Sequence, residues 1–242
     1  MRVIIAHFNI SIIFVLGLLM LTIASSTVMA QEKSGKVKSG FMDPNIYYDT
    51  RGHSEFTINA LAKFHGPFEY FGFVNYTGAE EDTDVGSFYV EQTLRWKFYN
   101  KLPLNLAVQA ALRSGAANDS YRLGLRWIAN ETGGISELLS KLHLSYGVTL
   151  FALQAGYGDQ QRYLAQIEHA YRFSFWQNKV YISGFADQNL NHGSDNPFTW
   201  VTEHQLGIQL LPNFYAVAEY RINEFLTETT GVGLGLEYVM RF

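Results

Sequence analysis

The chain has 242 residues, 48% hydrophobic and 15% aromatic, with 21 glycines, no cysteine and a formal charge of −4. Without cysteine there is no disulfide framework, thiolate metal site or cysteine nucleophile. Charged residues are only 17% of the chain and form no basic stripe, which removes nucleic-acid binding from consideration.

Met1 and Arg2 precede an apolar run from Ile10 to Ala24, and Val28-Met29-Ala30 follows as a small-x-small cleavage site. This layout predicts a secretory signal peptide over residues 1–30, leaving one domain over 31–242. The apolar run is short for a membrane helix of ~20 residues, and no later run approaches that length. An exported, aromatic, glycine-rich chain of this kind reads as all-β.

Period-2 alternation then predicts about twelve strands, near 45–50, 54–64, 67–77, 86–98, 102–113, 119–129, 140–153, 162–175, 179–189, 198–210, 213–224 and 231–242. Phe88, Val90, Leu94, Trp96 and Phe98 share one face, and Tyr89, Glu91, Thr93, Arg95 and Lys97 the other. In the last strand Val232, Leu234, Leu236, Tyr238, Met240 and Phe242 oppose Gly231, Gly233, Gly235, Glu237 and Arg241. Pro67, Pro103, Pro197 and Pro212 fall at predicted strand boundaries, where a missing N–H costs nothing.

Connections alternate between tight turns, such as His65-Gly66 and Leu211-Pro212, and longer polar loops, such as 77–85 and 191–197. One connection, 130–140, is long but falls at the short-turn end. Aromatics gather near the short turns (Phe68, Trp96, Phe98, Trp127, Phe173) and near the long loops (Tyr76, Phe88, Tyr121, Tyr163, Trp200). Together these features predict an antiparallel transmembrane β-barrel of the outer membrane, apolar outside and polar inside. Its neighbours would be outer-membrane lipid and lipopolysaccharide.

In that phase the lumen candidates are Glu69, Phe71, Phe73, Tyr89, Glu91, Arg95, Arg122, Arg126, Glu168, Arg172, Tyr181, Phe185, Glu203, Glu219 and Arg221. Inward aromatics can stack a ring, while carboxylates and guanidiniums bind hydroxyls, as a selective pore requires. The same charges can instead pair across neighbouring strands and plug the barrel. No nucleotide, metal or redox cofactor is implied: His143, His169 and His204 are scattered without ligand spacing.

Several segments resemble the Tsx-like barrels, a group related to the nucleoside-specific channel-forming protein of the outer membrane. They are Tyr48-Asp49-x-Arg51-Gly52, Phe68-Glu69-Tyr70-Phe71-Gly72-Phe73-Val74-Asn75-Tyr76, Tyr89-Val90-Glu91-Gln92-x-Leu94-Arg95, Lys179-Val180-Tyr181-Ile182-Ser183-Gly184-Phe185-Ala186-Asp187 and Gly233-Leu234-Gly235-Leu236. The resemblance implies a monomeric twelve-stranded channel giving passive passage to small polar solutes, nucleosides first.

Two other readings stay open. Asn191-His192-Gly193-Ser194 places a Ser–His pair two residues apart and is similar to the His-x-Ser-Asn sequence of outer-membrane acyl hydrolases. A plugged structural or adhesive barrel would instead work through its outer loops, among them the acidic tip Glu80-Glu81-Asp82-x-Asp84.

Overall fold

The computed structural model describes residues 37–78, 85–115, 119–156, 163–191 and 197–242. The expected signal peptide, the acidic tip, His192, Ser194 and the Tyr163 side chain lie outside the described residues. In chain order the strands are β1 (Val37–Asp49), β2 (His53–Phe64), β3 (Phe68–Gly78), β4 (Val85–Trp96), β5 (Leu104–Arg113) and β6 (Ser120–Ile128). They continue as β7 (Leu144–Gly156), β8 (Tyr163–Phe175), β9 (Val180–Asn191), β10 (Phe198–Leu211), β11 (Phe214–Asn223), β12 (Thr230–Tyr238) and the short β13 (Met240–Arg241).

From β1 to β12 each strand pairs antiparallel with the next, and β1 pairs with β12 and β13 to close the sheet. Closure satisfies every ladder and leaves no strand edge, the condition for crossing a membrane with strands. No described helix is long and apolar enough to cross a membrane. The crossing elements are the strands.

β12 and β13 are one strand interrupted at Val239. Asn45 faces Glu237 above the gap and Met42 faces Met240 below it, in an unchanged register. In that register Pro44 of β1 lies opposite Tyr238, beside the gap, and has no N–H to give the Tyr238 carbonyl. On its other side Val239 keeps the ladder to β11, donating its N–H to the Asn213 carbonyl at 2.8 Å. The interruption therefore follows from one proline.

The alternation is as the pattern predicts. Leu94, Trp96, Val108, Leu125, Leu150 and Leu234 stand exposed on the outer wall. Their strand neighbours Arg95, Asn105, Gln109, Arg122 and Thr149 are buried inside. Near the short turns Phe68 stacks on Trp96 at 6.4 Å and Trp96 meets Phe98 edge-on at 6.2 Å. Phe56 and Tyr76 stack at 6.5 Å near the long loops. The outer wall is thus an apolar band with aromatic margins, the surface that lipid requires.

Three elements depart from the sequence expectation. β1 begins at Val37, eight residues before the expected 45, because its inward residues Asp43 and Asn45 are polar and the apolar pattern is broken by Pro44. β4 stops at Trp96, and the Lys97 N–H makes one further rung to β3, donating to the Pro67 carbonyl at 2.8 Å. β7 begins at Leu144 and not 140, since the preceding chain forms a 3-10 turn (Ala129–Glu131) and a helix, α1 (Ile135–Lys141). Ile135, Leu138 and Leu139 recur at helical, not strand, spacing. Gly134 enters the helix at φ 81°. Asn130 ties this connection to the barrel, donating to the Leu144 carbonyl at 2.8 Å and accepting from the Tyr146 N–H at 2.9 Å.

β7 also carries a bulge. Gly124 pairs with Phe151 while Leu123 pairs with Leu153, so Ala152 is an extra residue. The bulge lets both Phe151 (fully buried, 0%) and Leu153 (64% exposed) sit on their proper sides.

Candidate functional site

A cavity of about 1780 Å³ occupies the lumen. Its lining extends from Lys38, His65 and Asn130 at the short-turn end to Arg51, Thr77 and Phe225 at the long-loop end. Strand alternation supplies this wall: every second residue on each strand points inward, so polar residues at period 2 become a polar tube.

One side of the tube is filled. Tyr47 (β1), Tyr181 (β9), Tyr215 and Val217 (β11) and Val239 form a buried cluster against the wall. The Tyr181 hydroxyl donates to Glu237 at 2.5 Å and accepts from the Gln205 side chain at 2.6 Å. Tyr47 donates to the same Gln205 at 3.2 Å. The Arg172 guanidinium lies 3.8 Å from the Tyr181 ring centre, and Tyr215 meets that ring edge-on at 5.6 Å. The cluster is small enough to leave the rest of the lumen open. Glycines on the facing strands make room for it: Gly233 lies beside Tyr47 and Gly207 under Tyr181.

The opposite side, β3 to β8, carries charge pairs. Arg95 bonds Glu69 at 2.7 Å, Arg122 lies 3.9 Å from Glu91, and Arg126 lies 3.4 Å from Glu168. Gln109 links the set, donating to Glu91 at 2.7 Å and accepting from Arg122 at 2.5 Å. Aromatics sit among these charges. Arg95 stands 5.3 Å from the Phe71 ring, Arg113 stands 4.8 Å from Tyr89, and Tyr89 meets Phe73 edge-on at 5.4 Å. Tyr89 donates to Glu91 at 2.7 Å. On the remaining arc Arg221 touches Glu55 and Glu219 and lies 3.6 Å from Glu203.

Of the sequence candidates, Glu69, Phe71, Phe73, Tyr89, Glu91, Arg95, Arg122, Arg126, Glu168, Arg172, Phe185, Glu203 and Arg221 border the cavity. Tyr181 and Glu219 do not, and this corrects their expected place in a solute path. Both point inward, but Tyr181 is sealed under the tyrosine cluster and Glu219 is covered by Arg221. Alternation gives the side a residue faces, not whether a larger neighbour covers it. Asp43, Asn59, Gln166, Asp187 and Asn189 also border the cavity and were missed. Their strand phase was the only signal available, and in β1 and β9 it is blurred by polar residues on both faces.

Asp49, His53 and Glu55 bring three metal-type ligand atoms together near the long-loop end. Guanidiniums already hold both carboxylates there: Arg51 bonds Asp49 through two 2.8 Å contacts, and Arg221 bonds Glu55. A cation would have to displace them. His169 and His204 lie on the outer wall, hydrogen-bonded to Tyr146 at 2.7 Å and to Tyr171 at 2.8 Å. They take no part in the lumen.

A closed antiparallel barrel with an apolar outer belt and a charge-paired polar lumen defines the fold of an outer-membrane β-barrel. The solved structures it resembles include the NanC porin, with a TM-score of 0.53, 8% identity, and coverage of 81% of this chain and 98% of that one. The KdgM porin matches with a TM-score of 0.50, 15% identity, and coverage of 82% of this chain and 98% of that one. At such identities the likeness is one of fold. No family model and no curated protein matches the chain, so the Tsx-like resemblance rests on its strand motifs alone.

Proposed function

We propose that this barrel is a passive outer-membrane channel for small polar solutes, with nucleosides as its first candidates. The observation that carries the reading is the lumen cavity, whose wall includes residues near both ends of the barrel, charges of both signs and the inward rings of Phe71, Phe73, Tyr89 and Phe185. A nucleoside offers one ring to stack and several hydroxyls to hydrogen-bond, and this wall supplies both kinds of partner. The Tsx-like strand motifs favour the same solute class. The channel needs no cofactor and acts as a monomer, with lipid and lipopolysaccharide around its apolar belt.

Single-channel recording of the refolded protein in a planar bilayer, with and without adenosine or thymidine, tests the reading. Discrete conductance steps that either nucleoside blocks support it. Steps without block remove the nucleoside and keep the channel. Silence from protein shown to be folded means a plugged barrel, the reading favoured by the tyrosine cluster on β1, β9 and β11. The acyl-hydrolase reading rests on His192 and Ser194, which lie outside the described residues.

A further inference from the structure

The seam between β8 and β9 holds an arrangement that neither the charge pairs nor the aromatics explain. Gln166 faces Asn189 directly across it, and Glu168 faces Asp187 one inward step below. All border the cavity. Directly opposed side chains on neighbouring strands start about 5 Å apart at Cβ, so these four form one compact block.

The orientation of the block is fixed by its hydrogen bonds. Gln166 donates its amide N–H to Asp187 Oδ2 at 2.7 Å, which leaves Gln166 Oε1 and Asp187 Oδ1 beside that bond. Asn189 donates its amide N–H to the Thr199 carbonyl on β10 at 3.1 Å. Its Oδ1 is therefore turned the other way, toward β8. Gln166 Oε1, Asp187 Oδ1 and Asn189 Oδ1 are all buried without a hydrogen-bond partner. Gln166 and Asn189 are themselves 3% and 1% exposed. An unpartnered buried acceptor is costly, and three that share one seam call for a common partner.

A cation would satisfy all three oxygens at once. Among the described residues Asp187 has no ion pair, and its neighbour Glu168 adds a second carboxylate. The nearby guanidiniums make their shown contacts elsewhere: Arg126 with Glu168 and Thr149, Arg122 with Gln109, Gln154 and Glu91. We propose that Gln166, Asp187 and Asn189 bind a hard cation of the calcium class in the lumen, through Oε1, Oδ1 and Oδ1. An all-oxygen set of two neutral amides and one or two carboxylates suits calcium, which accepts such oxygens and water in flexible number. Magnesium demands a stricter octahedron and fits less well. The low charge of the set makes this a weak, exchanging site, as a channel wall requires.

The test is calorimetric titration of calcium chloride into refolded protein freed of lipopolysaccharide, which itself binds calcium. The proposal expects saturable binding that Asp187→Asn weakens by about tenfold or more. Gln166→Glu adds a carboxylate beside Asp187, so calcium should raise the urea midpoint of this variant more than that of the parent. This second readout stands even if Asp187→Asn folds poorly. Binding unchanged in Asp187→Asn, or lost on neutralising Glu80, Glu81 and Asp82 instead, would overturn the proposal, as would no binding at millimolar calcium. None of these outcomes depends on nucleoside block.

Discussion

Gly207 lies directly under Tyr181, its cross-strand partner: a methyl group on Gly207 would stand 2.1 Å from the tyrosine ring. The ring cannot yield, because Arg172 covers it, Tyr215 abuts it, and its hydroxyl is held by Glu237 and Gln205. Gly207→Ala should therefore destabilise the barrel by about 1–3 kcal/mol. Urea unfolding in detergent, followed by tryptophan emission, measures this. A variant as stable as the parent would show that the tyrosine cluster is loosely packed.

Arg221 serves Glu55, Glu203 and Glu219 at once. Removing it leaves three carboxylates without their cation, and breaking a buried pair of this kind typically costs about 3–5 kcal/mol. Arg221→Ala should lower stability on that scale and shift the channel toward cation selectivity. The reversal potential in a potassium chloride gradient reads the second effect separately from the first.

Arg95 projects from β4 between Glu69 and the Phe71 ring. Arg95→Ala shortens a side chain that borders the cavity and leaves Glu69 with only its looser pair to Lys63 at 3.8 Å. Single-channel conductance should rise, and nucleoside block should weaken as the ring loses its cationic neighbour. An unchanged current with unchanged block would place the solute path on another arc of the lumen.

On the outer wall, Tyr146 and His169 satisfy each other at 2.7 Å. Tyr146→Phe strands the imidazole against lipid and should cost about 1–3 kcal/mol. Replacing His169 by Phe as well removes both polar groups and should recover most of that loss. Urea midpoints of the parent, both singles and the double compare the four states.

Much of the barrel was legible because its two solvents differ. Lipid outside and water inside impose period 2 on every strand, so Leu234 and Glu237 declare their sides without any structure. The turns were legible for a similar reason, since proline and glycine mark where a ladder hydrogen bond is absent. What escaped depended on contacts between distant strands. The helix Ile135–Lys141 lay within the long connection expected at 130–140, although its apolar spacing was helical. The bulge at Ala152 shifts a phase by one residue, which alternation alone cannot locate. In the lumen, alternation placed Tyr181 and Arg95 on the same side equally well. Only the packing of Tyr47, Tyr215 and Gly207 separates a buried plug residue from one that lines the open path.

The seam at Pro44 bears on how the barrel assembles. Every ladder but one joins strands adjacent in sequence, so each can zip from a local hairpin at small entropic cost. The exception ties Gly40 to Phe242 through reciprocal backbone bonds of 2.8 and 3.2 Å, and it is split by the proline into two short stretches. The last event of folding is then a lateral latch that fastens in two separate clicks, above and below Pro44. A sheet so built can stay open as a curved ribbon until the membrane supplies the apolar surroundings that make its final closure worthwhile.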